Sequence, residues 1–363
     1  MRILFLCLGI YRPEGGMERF NQRVVRVLSE MVQNKKIERV SVISLWDDTQ
    51  NNPVLPGICF TGNASNKLAT TIYFLQKILS ERPDIILYGH ILFSPLALIG
   101  RIIHPKGKSI LFVHGTEVWE NPFFLNMWFC DKGFTNFITV SKHTAKKLMD
   151  TYKISSSRIF IHLNAIDDKP LRGEEHQKNE LAGHYNLISI CRLSTNGLHK
   201  NIDRIIEAMP KILTHFPGTH YYIIGDGDWR GELVEMCSRL GLNPFVHFLG
   251  WLNDKEKDRY LKASDIFILP SVGEGFGIVF LEAWQNRLPI ITSNQGAAPE
   301  IVEHNRGGLC VEPNPDAITK AVFLLLSDYE LRRSMGNFGY EKLQNNYLHE
   351  HFCNRLTEYL LRP

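Results

Sequence analysis

Short apolar runs and amphipathic stretches alternate from one end of the chain to the other. Runs such as 85–88 (Ile-Ile-Leu-Tyr) and 266–269 (Ile-Phe-Ile-Leu) are apolar at every position, the pattern of a strand buried on both faces of a parallel sheet. Strands are therefore predicted over 2–8, 40–45, 84–88, 109–114, 137–141 and 159–163, with helices over 17–32, 67–80, 95–103 and 142–151. The polar, charged stretch 167–183 interrupts the alternation and reads as a linker. Strands then resume over 186–192, 220–224, 246–249, 265–269, 289–292 and 308–311, with helices between them. Three helices, over 316–327, 330–345 and 349–361, close the chain. The expectation is an α/β protein of two doubly wound, Rossmann-like parallel sheets, over 1–170 and 171–345, followed by a terminal segment, 346–363. Ligands in such sheets bind beyond the carboxyl ends of the strands, so two facing lobes would enclose a cleft. The stretch 46–66, rich in Asn, Pro and Gly, reads as an irregular insertion.

Composition changes this picture little. The 363 residues are 44% apolar and 22% charged, ordinary for a folded protein with room for two cores. The apolar run after Arg2 reads as a first strand, not a signal peptide. The uncharged run 85–100 contains Gly89, His90 and Pro95 and is shorter than the ~20 residues a membrane helix needs. It reads as a buried strand followed by a buried helix. Seven scattered cysteines, none in a C-x-x-C, suggest reduced thiols in a cytoplasmic protein. Charge is uneven: residues 1–170 hold 21 Lys/Arg against 14 Asp/Glu, and residues 171–363 hold 20 against 24. A basic first half suggests an anionic partner, and no nucleic-acid module is visible. In the first helix Arg19, Arg23 and Arg26 follow helical spacing and predict a basic stripe, which Lys106, Lys108, Lys142, Lys146 and Lys147 could extend. Such a face would dock peripherally on the inner side of an anionic membrane.

The chemistry concentrates in Ser271-Val-Gly-Glu-Gly-Phe-Gly-Ile-Val-Phe-Leu-Glu282. A glycine turn between a buried strand and a helix presents N–H groups and a positive dipole end, which suits a phosphate. Glu274 lies in the loop, where it can face a ligand. Glu282 lies about one turn inside the helix and could lean back toward neutral hydroxyls. A tight structural turn with Glu282 favoured by the dipole explains the spacing equally well.

The stretch 274–282 matches the Glu-x7-Glu signature of the retaining GT-B glycosyltransferases, the family of bacterial polysaccharide, lipopolysaccharide and phosphatidylinositol sugar transferases. Its flanks match as well: Ser264-Asp265, Glu282-Ala283-Trp284, Leu288-Pro289-Ile290 and Pro299-Glu300-Ile301-Val302. The chain thus resembles that family over nearly its whole length. The resemblance implies donor contacts for Gly15, Gly16, Gly275, Phe276, Gly277 and Glu282, and for Arg192 and Lys200, whose cations would hold a diphosphate. It also implies that His114 and Glu274 work at the donor sugar, with Glu274 positioning hydroxyls and not acting as a general base. It implies a terminal helix that crosses back to the first lobe. Two departures stand out: Cys191 occupies a position where glycine is usual, and 194–199 is a longer connection than many relatives have. Many relatives also have Asp where Glu117 stands.

Three other motifs carry less. Gly225-Asp-Gly-Asp-Trp-Arg230 misses the dinucleotide fingerprint at its third glycine. Asp226-Gly-Asp228 is formally a D-x-D, read here as a strand end without metal. His349-Glu-His351 reads as solvent-facing. The resulting expectation is a retaining, metal-independent hexosyltransferase that needs no cofactor besides its substrate. The nucleotide-sugar donor would be a UDP-sugar, with UDP-glucose ahead of GDP-mannose, and the acceptor a saccharide or lipid-linked saccharide of surface polysaccharide synthesis. The alternatives are a sugar-nucleotide epimerase and a non-catalytic nucleotide-sugar-binding subunit.

Overall fold

A computed structural model describes residues 1–11, 15–48, 55–119, 124–167, 181–195 and 200–362. The chain forms two compact units, Met1–Ala165 with His349–Pro363, and Ile166–Leu348. The chain thus leaves the first unit ahead of the predicted linker, most of which lies outside the described residues, and the terminal helix belongs to unit 1.

Unit 1 holds seven strands: β1 (Arg2–Cys7), β2 (Arg39–Ser44), β3 (Ile58–Gly62), β4 (Ile85–Tyr88), β5 (Lys108–Val113), β6 (Asn136–Thr139) and β7 (Ile159–Ile161). They pair in parallel in the order β3-β2-β1-β4-β5-β6-β7. The helices between them are α1 (Gly16–Gln33), α2 (Lys67–Glu81), α3 (Ser94–Ile103), α4 (Phe124–Gly133) and α5 (Lys142–Tyr152). Successive side chains of a strand point to opposite faces, so β1 serves two cores. Leu4 and Leu6 pack with Phe74 of α2, Ala97 of α3, Phe134 beyond α4 and Leu148 of α5. Phe5 meets Phe112 at a centroid distance of 6.0 Å, and Phe112 meets Phe20 of α1 at 5.1 Å.

Unit 2 holds β8 (Tyr185–Ile190), β9 (Thr219–Ile224), β10 (Val246–Gly250), β11 (Ile266–Leu269), β12 (Ile290–Ser293) and β13 (Gly308–Val311). Their order is β10-β9-β8-β11-β12-β13, again all parallel. Its helices are α6 (Ile202–His215), α7 (Arg230–Arg239), α8 (Asp254–Ala263), α9 (Ile278–Gln285), α10 (Ala298–Val302), α11 (Pro315–Ser327) and α12 (Tyr329–Asn346), and α13 (His349–Leu361) completes unit 1.

Four expectations are corrected. The stretch 46–66 contains an ordered edge strand, β3, paired in register with β2. The predicted buried helix is α3, and it turns Ile99, Ile102 and Ile103 outward while burying Ser94, Ala97 and Gly100. The basic stripe on α1 does not form: α13 packs on α1, setting Phe352 against Phe20 at 5.3 Å. Arg23 is buried at 8% exposure, and Arg26 pairs with Glu30 at 3.3 Å. His349 is not solvent-facing, since its Nε2 lies 3.2 Å from Glu30, which also accepts from Cys353 Sγ.

Candidate functional site

Both sheets reverse their strand order at one point, between β1 and β4 in unit 1 and between β8 and β11 in unit 2. The loops leaving the carboxyl ends of two such strands diverge to opposite sides and leave a crevice. In unit 2 the described parts of these connections are 191–195 with 200–201, and 270–277, and they contain most of the residues singled out in the sequence.

Arg192 follows β8. It is exposed and makes no hydrogen bond or ion pair among the described residues. Its neighbours are fixed by close backbone packing. A Cβ on Gly225 would stand 1.8 Å from the Cys191 carbonyl oxygen, and one on Gly227 would stand 2.0 Å from that of Leu193. The glycines of the near-fingerprint thus let the loop after β9 lie against the Arg192 segment. Asp228 accepts from Thr195 N (2.8 Å) and Oγ1 (2.6 Å), and Asp226 lies 3.6 Å from Arg230. Both carboxylates of the D-x-D therefore engage protein partners.

Lys200 pairs with Glu274, joining the two crevice loops across 74 residues of sequence. Asn201, in the left-handed conformation at the start of α6 (φ 56°), donates from Nδ2 to the Pro270 carbonyl at 2.8 Å and ties the same loops. Cys191 lies close enough to feel both charges, and burial pushes its thiol up to about 12. It is a neutral packing group where a glycine was expected.

The glycine turn opens α9. Gly277 sits at φ 84°, where an added Cβ would lie 2.3 Å from the Phe280 ring, so glycine is required on both counts. The Glu274 carbonyl accepts from Ala297 N at 3.1 Å, bracing the turn on the loop after β12. Phe276 is buried with its ring against Tyr347 at 5.8 Å, so its side chain packs inside unit 2 and only its backbone can serve a donor. Glu282 is buried, and its Oε1 accepts from Lys257 Nζ at 2.7 Å. Lys257 also meets Asp254 at 3.0 Å. Lys257 escapes sequence reading because it is one of six consecutive charged residues, 254–259, that look like a solvated helix face.

Unit 1 gathers a second group at its own reversal point. His114 follows β5, and its Nε2 lies 3.2 Å from the Gly89 carbonyl beyond β4. A carbonyl only accepts, so Nε2 carries the proton in this contact. Burial pulls this imidazole down to about 4, with the Gly89 carbonyl opposing the shift, and it is neutral at pH 7. Glu117 holds the turn by accepting the backbone N–H of His114. Gly15 is the extended N-cap of α1, and its carbonyl accepts from Arg19 N at 3.0 Å. Gly16 is exposed at the first position of that helix. The structure therefore collects Arg192, Lys200, Glu274 and Gly275–Gly277 at one switch point, His114 and Gly15-Gly16 at the other, and gives Glu282 a lysine partner.

Both halves of the chain resemble known proteins. The family described as "Glycosyl transferases group 1" matches residues 172–342, and "Glycosyltransferase Family 4" matches residues 15–169. An uncharacterized glycosyltransferase of Methanocaldococcus jannaschii is 32% identical over 207 residues, 55% of this chain and 53% of that protein, so the match spans about half of the relative's length. A GDP-mannose-dependent alpha-(1-6)-phosphatidylinositol monomannoside mannosyltransferase of Mycobacterium tuberculosis is 28% identical over 74% of this chain and 73% of its own. Among solved structures, sucrose-phosphate synthase of Thermosynechococcus elongatus superposes with a TM-score of 0.80 at 17% identity, covering 99% and 98% of the two chains. Anabaena HepE in complex with UDP superposes with a TM-score of 0.78 at 19% identity over 99% of each. With both halves matched and the two parallel sheets in place, the chain belongs to the GT-B glycosyltransferases of group 1 and family 4.

Proposed function

We propose that the protein is a retaining, metal-independent hexosyltransferase whose diphosphate site is the switch point of unit 2. The carrying observation is that Arg192, Lys200 and the glycine turn opening α9 converge on one crevice while Arg192 has no partner among the described residues. A diphosphate there would take charge-assisted hydrogen bonds from both cations and from N–H groups at the helix end. As the glycosidic bond to phosphate breaks, the leaving diphosphate gains negative charge, and fixed cations lower that barrier. Lys200 now neutralises Glu274. A diphosphate that draws Lys200 away would release Glu274 toward the sugar hydroxyls. Glu282 would meet the donor's hydroxyls from its Lys257-anchored position. For His114 and the Gly15-Gly16 turn, the family resemblance supports a contact with the donor sugar.

For the donor we take GDP-mannose ahead of UDP-glucose. The expectation of UDP-glucose rested on frequency within the family, whereas relatives matching three quarters of the chain are named as GDP-mannose-dependent. The acceptor class is a saccharide or lipid-linked saccharide in surface glycan or glycolipid synthesis. The same relatives act on phosphatidylinositol mannoside, and a lipopolysaccharide core enzyme of Rhizobium meliloti matches 42% of the chain at 27% identity.

The test is incubation with radiolabelled GDP- and UDP-sugars, with and without EDTA, followed by NMR of the new anomeric centre. Transfer from GDP-mannose with retained configuration in EDTA is expected. An epimerised sugar nucleotide, an inverted product, or binding with no turnover would each refute the reading. Arg192→Ala should weaken nucleotide affinity about ten- to hundredfold, the worth of a charge-assisted contact, without altering the circular dichroism spectrum.

A further inference from the structure

We propose that unit 2 carries a second anion site, at the opposite end of its sheet from the crevice, which binds the phosphate group of a small metabolite. This site does not depend on the donor reading. It is a cavity of about 370 Å³ whose lining includes Lys262, Asp265, Arg287, Tyr329, Arg332 and Arg333. That volume lies in the range of small-molecule pockets. Lys262 and Asp265 flank the last residue of α8 and the first of β11, Arg287 precedes β12, and the other three residues belong to the first turns of α12. The crevice lies beyond the carboxyl ends of β8 and β11, whereas this cavity lies at the amino ends of β11 and β12. The cavity is built by close packing. Positions 329, 332, 333, 336, 337 and 340 share one face of α12. Gly336 lets that face press on the turn after α9, since a Cβ there would stand 1.9 Å from the Arg287 carbonyl oxygen. Arg287 Nη1 donates to Asn337 Oδ1 at 2.8 Å, and its guanidinium lies 3.8 Å from the centroid of the Tyr340 ring. Arg332 Nη1 donates to the carbonyls of Leu325 (2.5 Å) and Leu326 (2.9 Å), and its guanidinium lies 5.5 Å from the Tyr329 ring. Two guanidinium groups are thus held in place before any ligand arrives. Arg287 also has φ 54°, the left-handed position after a helix that glycine fills without strain. The arginine adds a fixed cation at that turn.

Charge and shape select the ligand. The lining holds four cations and one carboxylate, Asp265. That carboxylate is engaged, with Oδ2 accepting the Asn186 N–H at 2.9 Å, and Lys262 lies 3.2 Å from Asp258. Among the described residues no carboxylate pairs with Arg287, Arg332 or Arg333, although Glu330 precedes the last two on α12. Arg333 is exposed and makes no hydrogen bond there either. Three arginines without a counter-ion therefore line one cavity, in a half of the chain where Asp and Glu outnumber Lys and Arg by 24 to 20. Like charges gathered in this way repel one another, and a bound anion reverses the sign of that energy. The planar guanidinium fork matches phosphate oxygens, and a phosphate dianion accepts from several such donors at once. The Tyr329 ring, 58% exposed, and the apolar side chains of Leu288 and Pro289 give a carbon skeleton something to lie against. A small phosphate monoester such as a sugar phosphate supplies both parts, and free phosphate supplies the first.

The experiment is calorimetric titration of the full chain with ribose 5-phosphate, ribose and inorganic phosphate. Ribose 5-phosphate is expected to bind, less tightly as salt rises, and ribose is expected not to bind. Inorganic phosphate should bind more weakly than the ester; equal affinity would keep the site and assign it to the free ion. Arg333→Ala should weaken the ester about tenfold, and Arg287→Gly combined with Arg333→Ala about a hundredfold or more, the loss of one and of two charge-assisted contacts. Arg333 is exposed and unpaired among the described residues, and glycine suits the turn at 287, so melting curves should show both variants folded. Arg192→Ala, in the crevice, should lower nucleotide affinity and leave the ester's affinity unchanged. Failure of both ribose 5-phosphate and inorganic phosphate to bind would overturn the proposal. Binding that survives the loss of both arginines would overturn it too, and its disappearance in Arg192→Ala instead would assign the phosphate to the crevice. Nucleotide affinity untouched by Arg192→Ala, with the ester still lost in the arginine variants, would refute the donor reading and support this site.

Discussion

His162 shows how much one buried side chain can set the pH response of unit 1. It lies under α13 with its ring 4.2 Å from that of Phe352, and neither ring nitrogen has a hydrogen-bond partner among the described residues. Burial, helped by the nearby Arg355 charge, pulls it down to about 3. An unfolded histidine titrates near 6.5, so below that pH the unfolded chain binds a proton that the folded chain refuses. The neutral ring's contribution is fully present above about pH 6.5 and is lost as pH falls toward 3. Replacement by phenylalanine removes this liability. His162→Phe is expected to melt at or above the wild-type temperature at pH 7 and to show a shallower acid limb between pH 6.5 and 4. An unchanged limb would show that His90 and His114, both pulled down to about 4, account for it instead. The Lys200–Glu274 pair gives a second test at this scale. Each partner is largely shielded from water, at 18% and 13% side-chain exposure, so removing one strands a poorly solvated charge. Lys200→Ala should therefore destabilise the protein more than the double variant Lys200→Ala/Glu274→Ala, as read from urea midpoints. Additive losses would mean that the pair is not coupled.

At the scale of elements, the site in unit 2 is built by loops that brace one another. The Arg192 segment lies against Gly225 and Gly227, Asn201 grips the end of β11, and the loop after β12 holds the Glu274 carbonyl. Gly225 sits at φ 129°, and a methyl group there would overlap the Cys191 carbonyl. Gly225→Ala is expected to cost about 2 kcal/mol or more, from backbone strain together with displacement of the Cys191 segment. The same variant should lose nucleotide affinity, because Arg192 moves with its neighbours. Denaturation and calorimetric titration of one preparation would check both. Stability lost with affinity intact would separate the turn from the site. At this scale the sequence hid β3 and α4. Ile58–Gly62 lies among Asn, Pro and Gly residues and is only half-buried at a sheet edge, so no strong apolar run marks it. Phe124–Gly133 mixes Leu, Met, Trp and Phe with Asn, Asp and Lys at spacings that give no single apolar face.

For the whole molecule, the consequential fact is that the last helix belongs to the first unit. Phe352 is fully buried between Phe20 of α1 and His162 beyond β7. Phe352→Ala should cost about 3–5 kcal/mol, the usual price of deleting a buried ring. The nucleotide contacts proposed here come from unit 2, so GDP affinity at a temperature where the variant stays folded should change little. A large loss of affinity with the ring deletion would show that the end of the chain also shapes the donor site.

The sequence by itself determined what depends on local period and turn chemistry. Alternating apolar runs and amphipathic stretches specify parallel strands and covering helices, and three glycines after an apolar run specify the turn that opens α9. The motif 274–282 likewise points to the family without any coordinates. Only the tertiary structure decided which charges meet. Glu274 finds Lys200 because β8 and β11 are neighbours, and Glu282 of α9 finds Lys257 of α8, 25 residues away in sequence. It also decided which helical faces are covered. Helix α13, from the far end of the sequence, packs on α1, whose Arg23 is buried, while Ile99, Ile102 and Ile103 of α3 stand exposed. Helical period records that a helix has an apolar or a basic side. What lies against that side is set by strand order and by contacts between residues hundreds of positions apart, which no local pattern encodes.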